Sequence, residues 1–292
     1  PPPSYCCPTH MKKPIIGVTR PRAPAPVGNA YHEQLLFNYD GLGRQANPMI
    51  RAAYAAPQAL AASEAPRSSG AEWQAGFECV TLLRQGRLEC AGGDAPGVAL
   101  AAGDVLWRGV GQGAWHEHRV PAAADSQALE LLTLWINLPA AYKGVAPYQQ
   151  LIRAAELPPQ MLPDEAGSLR VIAGRWQQTL GPAETVTPLQ LWDLSLAPGR
   201  PVTLPLVSGW HALLLLLQGE LRVSHWPQRV EAPALVVCGT LGSEVELMSE
   251  QGARLVLLSA EPLDEPIAGQ GACVMNQPQQ LAALPAAATP AR

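Results

Sequence analysis

Two short stretches place donor atoms at the spacing a metal site on strands requires: Glu72-Trp73-Gln74 and His116-Glu117-His118. Each sets two coordinating side chains at i and i+2, which point to one face of a β-strand. If the two strands are neighbours, all four side chains converge on one interior point. Two imidazoles and a carboxylate form the donor set of many non-haem iron sites, and other first-row divalent metals accept it. Gln74 then serves as a weak fourth ligand or as a hydrogen-bond donor to something held there. The spacing also fits a plainer arrangement, with the histidines in a loop and Glu72 and Gln74 solvated on a strand surface. His10, His32, His211 and His225 have no acidic or histidine partner close in sequence and read as surface or packing residues.

Other chemistry finds little support. No GxSxG, phosphate-binding loop or GxGxxG opens a helix, so no nucleotide cofactor is expected. Gly109-Val110-Gly111-Gln112-Gly113 reads as a tight loop feeding the His116 strand. The six cysteines lack the CxxC spacing of zinc or redox motifs, which points to reduced thiols and a cytoplasmic protein. Cys90 either lines the His116 cavity or is an inert buried thiol, the reading its type favours. A net charge of −4 provides no basic footprint for nucleic acid, and the apolar run Ala212–Leu217 is too short to cross a bilayer. The run from Met11 reads as a natural start, with residues 1–10 as a tag or translated leader.

The elements that must position these residues are short strands. Of 292 residues, 48% are apolar, enough for a sizeable core, while 30 prolines and 26 glycines demand frequent turns. Strands are expected at 77–83, 97–100, 104–107 and 129–136, with turns at Arg84–Arg87 and Ala102–Asp104, and a short helix at 149–156. Leu82–Leu88 is echoed by Leu215–Leu221 at an offset of 133 (219 minus 86), the mark of a duplicated domain. Two small barrels or one irregular sandwich would both fit, and the repeat favours the barrels. The repeat sets Pro205 and Val207 against the first donor pair, and Glu246 and Met248 near the second, so no second donor cluster is expected.

Several stretches resemble the pirin family, whose members are bicupins. Leu36–Asp40, Ala53–Pro57, Gly76–Thr81, Gly103-Asp104-Val105 with Trp107, His116-Glu117, Leu134–Pro139, Val171–Gly174, Glu261–Ile267 and Val274–Asn276 carry the likeness over nearly the whole chain. The resemblance implies an all-β fold of two cupin-type barrels in tandem: residues 11–148, with the metal site, and 149–278, without one. Residues 1–10 and 279–292 are expected to be disordered tails. It implies Fe(II) or another first-row divalent metal, and a flavonol-like enol substrate for quercetin 2,3-dioxygenase-like members. For other members it implies regulatory contacts with protein partners. His116 stands at one of the family's histidine positions. Glu72 and Gln74 replace two more histidines, Ala75 an arginine, and His118 the family's glutamate. The metal set implied here is therefore Glu72, Gln74, His116 and His118. The competing reading is a non-catalytic binding or regulatory protein that has lost the metal.

Overall fold

The computed structural model describes residues 11–92 and 95–285. The chain divides into two units, each built almost wholly from antiparallel strands.

One unit comprises residues 21–158, 178–188 and 262–285. Its larger sheet runs in the order Tyr148–Ile152, Val105–Gly109, Phe77–Gln85, Gln127–Asn137, Met49–Leu60, Tyr31–Phe37, Ala25–Val27. A smaller sheet runs Arg67–Ser68, Ala114–Val120, Arg87–Gly92, Ala95–Ala101, and Glu72–Gln74 also pairs with Ala114–Val120. Leu83, Leu106 and Leu131 of the first sheet pack against Leu88, Cys90, Leu100 and Val120 of the second. Alternation therefore sends every second side chain of both sheets into one shared interior.

The other unit comprises residues 11–20, 159–177 and 189–261. Its main sheet runs Ile15–Thr19, Ala234–Cys238, His211–Val223, Ala253–Ala260, Leu189–Leu196, Gly167–Ala173, Gln160–Met161. Leu214, Leu216, Leu255 and Leu257 of that sheet meet Val202, Leu204, Val245 and Leu247 of a facing strand pair.

The expected strands and turns are present. Gly86 and Gly219, the two ends of the 133-residue echo, both adopt positive φ (89° and 83°). A Cβ would strike the Ala128 carbonyl at the first and the Gly252 carbonyl at the second, so the repeat preserves a backbone crossing that only glycine tolerates.

Three expectations need correction. The segment expected as a helix at 149–156 is the strand Tyr148–Ile152 followed by one 3-10 turn, Ala154–Glu156. Ladder bonds to Val105–Gly109 claim its backbone, and the Asp104 carboxylate accepts from Ala154 N at 2.8 Å and Arg153 Nη1 at 2.8 Å. The domain limits 11–148 and 149–278 are also displaced. The chain leaves the first unit after residue 158, and each unit takes a segment from the far end of the chain. Ile15–Thr19 pairs with Ala234–Cys238, and Val274 N donates to Ala75 O at 2.9 Å. Finally, part of the expected C-terminal tail is helical, Pro278–Ala282. Residues 1–10 and 286–292 lie outside the described residues.

Buried lysines fasten both borrowed segments. Lys13 Nζ donates to the Trp210 and Thr240 carbonyls at 3.0 and 2.8 Å. In the other unit, Lys143 Nζ donates to Gly76 O at 2.8 Å, Val274 O at 2.7 Å and Asn137 Oδ1. Burial pushes the Lys143 amine down to about 7 from 10.5. The unfolded chain then holds this proton more tightly than the folded one. The group's contribution to stability is accordingly lowest below about pH 7 and rises towards about pH 10.5. Urea midpoints followed across that window should climb in the native protein. In Lys143→Met the climb should be missing, and the Val274 carbonyl and Asn137 Oδ1 lose the amine as a donor while the Gly76 carbonyl keeps only the longer bond from Leu138 N at 3.3 Å, lowering stability throughout.

Candidate functional site

The strand register brings both donor pairs together. Ala114–Val120 pairs with Glu72–Gln74 so that His116 faces Glu72 and Ala114 faces Gln74. His116 and His118 turn inward, 7% and 4% exposed, with ring centroids 4.5 Å apart at 79°. Glu117, between them, faces the other way, accepting from Ser68 Oγ at 2.5 Å and Arg119 Nη2 at 2.7 Å. The glycine loop serves the placement expected of it: Gly76 N donates to the Val110 and Gly111 carbonyls, and a Cβ at Gly113 would enter the Trp73 ring.

Glu72, Gln74, His116 and His118 all line one cavity of about 660 Å³. Tyr31, Glu33, Arg51, Cys79, Trp73, Trp115 and Trp135 complete most of its wall. Trp73 and Trp115 meet edge to face at 5.6 Å, and the Arg51 guanidinium lies 4.7 Å from the centre of the Trp135 ring while pairing with Glu33 at 2.9 Å. Sequence reasoning missed Tyr31, Arg51 and Trp135 because they come from strands distant in the chain. Cys79, not Cys90, lines the cavity; Cys90 is a free thiol in the apolar core, its pKa raised by burial.

Each histidine is held by neighbours. Tyr31 Oη lies 2.7 Å from His118 Nδ1, and Thr81 Oγ1 lies 3.4 Å from Nε2. Arg108, 7% exposed on the strand Val105–Gly109, places Nη1 against His116 Nδ1 and donates through Nη2 to the Trp115 carbonyl at 3.1 Å. Gly92 leaves room for this arrangement, since a Cβ there would sit 2.6 Å from the Trp115 oxygen and 3.4 Å from Arg108 Nη2. Burial, His118 and Arg108 together drive His116 well below its ordinary pKa, and burial with Arg108 brings His118 down to about 3. Both shifts favour the neutral ring. Glu72 is exposed overall, yet the surrounding wall desolvates its carboxyl enough to raise its pKa, with the Gln74 amide and Arg51 pulling the other way.

This arrangement does not suit the metal implied by the donor types. A guanidinium only donates, so His116 Nδ1 must accept and the ring proton must sit on Nε2. A protonated Nε2 has no lone pair for a metal. The cation beside it also repels a second one. Glu72 and Gln74 are turned toward each other, Gln74 Nε2 to Glu72 Oε2 at 3.3 Å. Among the described residues no three His, Cys, Asp or Glu side chains are grouped to hold a metal ion. The expected set shares one cavity, but Arg108 breaks it as a ligand set. In the other unit, Glu246 is engaged by Lys12 at 2.7 Å, while Val245 and Leu247 belong to the core.

The comparisons with known proteins agree with the fold. Residues 191–286 match the family model of the pirin C-terminal cupin domain. A Pseudomonas aeruginosa protein named "putative quercetin 2,3-dioxygenase" is 34% identical over 273 residues, covering 93% of this chain and 94% of its own. The chain belongs to the pirin family. The crystal structure of a quercetin 2,3-dioxygenase from Acinetobacter baumannii superposes with a TM-score of 0.89 at 30% identity, covering 93% of this chain and 95% of that one. An Escherichia coli bacterial pirin solved with nickel(II) shares the fold at a TM-score of 0.62 and 13% identity. The two-cupin, all-β architecture is thereby established. No helix among the described residues is long and apolar enough to cross a membrane.

Tyr31→Phe tests the histidine contacts directly. It strips the hydroxyl from His118 Nδ1 and leaves a buried ring nitrogen without that partner, at a cost of about 1–3 kcal/mol. Denaturant unfolding of the two proteins side by side reads the difference, and equal midpoints would mean the contact contributes nothing.

Proposed function

We propose that the first barrel of this pirin-family protein binds a planar, hydroxylated aromatic enol of the flavonol class, using its own side chains in place of a resident metal. The observation that carries the reading is the cavity of about 660 Å³, with its aromatic wall of Trp73, Trp115 and Trp135 beside polar groups. That volume lies within the range of small-molecule sites, and flat indole faces suit a flat ring system. Glu72, Gln74, His116 and Arg51 supply hydrogen-bonding groups of both senses along the same wall. The two relatives named for quercetin 2,3-dioxygenase support the ligand class.

Those same names favour a second reading, a metal-dependent dioxygenase acting on the same class of enol. It requires Glu72, Gln74, His116 and His118 to turn towards a common centre, with Arg108 withdrawn from His116.

One experiment separates the two. Chelator-treated protein is titrated with quercetin while tryptophan fluorescence is followed, and oxygen uptake is measured before and after adding iron(II) or nickel(II). The binding reading expects saturable quenching in chelator and no uptake with either metal. Trp115→Ala should weaken binding about 2- to 10-fold through lost ring contact. Oxygen uptake that appears only with metal would establish the dioxygenase instead.

A further inference from the structure

Arg108 is a buried cation whose hydrogen-bond partners among the described residues are neutral. Its guanidinium meets His116 Nδ1 and the Trp115 carbonyl, and no described carboxylate lies within ion-pairing distance. A charge removed from water without a counter-charge is costly, and the site stays stable only if something compensates it. The nearest space able to receive a counter-charge is the cavity that His116 lines.

A second group in the same wall also lacks a partner. Gln74 is 3% exposed, and its Oε1 is fully buried with no hydrogen bond. Its amide orientation is set by Nε2, which donates to the Glu72 carboxylate at 3.3 Å, so the unmatched atom is the oxygen, an acceptor. Gln74 is two residues from Glu72, the register partner of His116, and so sits diagonally across from the histidine on the same face.

We infer that Arg108 takes over the metal's electrostatic role: through His116 it presents a polarised Nε2–H to an ionised oxygen of the ligand, while Gln74 Oε1 accepts from a hydroxyl of the same molecule. The ligand class is a planar, delocalised oxyanion that keeps one hydroxyl, and an ionised flavonol answers to that description. The inference rests on the small-molecule reading above and specifies which form of the molecule is bound. Arg108 is a positioning residue, since it reaches the ligand only through His116. The hydrogen bond it donates fixes the ring tautomer, and its charge strengthens the bond that His116 donates in turn.

The test uses the full chain in chelator. Quercetin absorbs at longer wavelength when ionised, so its bound spectrum reports the form held. The native protein should bind quercetin with the red-shifted band at a pH where free quercetin is neutral. Arg108→Met should lose the red shift and bind about 10- to 100-fold more weakly, the scale of a charge-assisted hydrogen bond. Arg108→Lys, which keeps a cation in the same pocket, should retain part of the shift.

Long-range proton–nitrogen correlation on histidine-labelled native protein needs no variant, and should find His116 neutral with its proton on Nε2. A proton on Nδ1, or a red shift untouched in Arg108→Met, overturns the inference. Benzoate, a planar carboxylate without the flavonol skeleton, serves as the second probe by calorimetry. If quercetin fails while benzoate binds in an Arg108-dependent way, the flavonol reading falls and the oxyanion site stands. If neither binds, both fall.

Discussion

Everything at the centre of the first barrel follows from one contact, the Arg108 guanidinium against His116 Nδ1. A group that can only donate forces its partner to accept, and an imidazole that accepts on one nitrogen must carry its proton on the other. That single constraint converts His116 from a candidate ligand into a donor aimed at the cavity. It also leaves a positive charge inside a wall that holds two neutral imidazoles, and it is one of the forces keeping both rings neutral. The space for it depends on Gly92, where any side chain would crowd both the guanidinium and the Trp115 carbonyl it bonds.

The frame around this contact is held by borrowed segments. Lysine plays a parallel part in the two units, adding a donor to carbonyls where a segment from elsewhere in the chain packs on, two of which, Thr240 and Gly76, also accept from the backbone N–H groups of Gly209 and Leu138. Lys13 serves Trp210 and Thr240, and Lys143 serves Gly76 and Val274. A lysine amine keeps at least two donors whether or not it is protonated and so reaches several carbonyls at once, which no apolar side chain can do. Gly76 is part of this fastening and directly precedes Phe77, whose strand carries Cys79 and Thr81 to the cavity and to His118. The Lys143 contact therefore bears on the placement of the site as well as on stability.

How far the sequence could be read depended on the range of each signal. Period-two alternation is local, so His116 and His118 were legible as an inward pair, with Glu117 turned out to Ser68 and Arg119. The glycine echo at Gly86 and Gly219 was legible because a backbone crossing demands the same residue in both copies. Strand exchange was not, because a strand's periodicity is the same whichever sheet receives it. Ile15–Thr19 thus carries no local mark of its pairing with Ala234–Cys238. Tyr31 and Arg51 lie on strands far from the histidines in sequence, and no short motif encodes their arrival. Arg108 had a usable signal that went unread. Leu106 packs into the barrel interior, so alternation sends Arg108, two residues on, to the same side.

The changes at Glu72, Gln74 and His118 look, taken singly, like erosion of a metal site. Set beside Arg108, they acquire a common physical direction. A cupin cavity built around a divalent ion needs donors with free lone pairs and compensating negative charge. A cavity built around a fixed guanidinium needs the reverse: a donor facing inward and an anion supplied from outside. His116 on its Nε2–H tautomer meets the first requirement, and the absence of a described carboxylate partner for Arg108 leaves the second to the ligand. A carboxylate at the position of His118, whose pKa already feels the Arg108 charge, would set a negative charge against that cation. A neutral imidazole held between Tyr31 and Thr81 leaves that charge available. The same barrel can thus keep an electrostatic preference for ionised enols while exchanging the source of its positive charge. Sharing a fold with a pirin solved with nickel(II) is therefore no guide to metal dependence here, and the charge balance inside the barrel is.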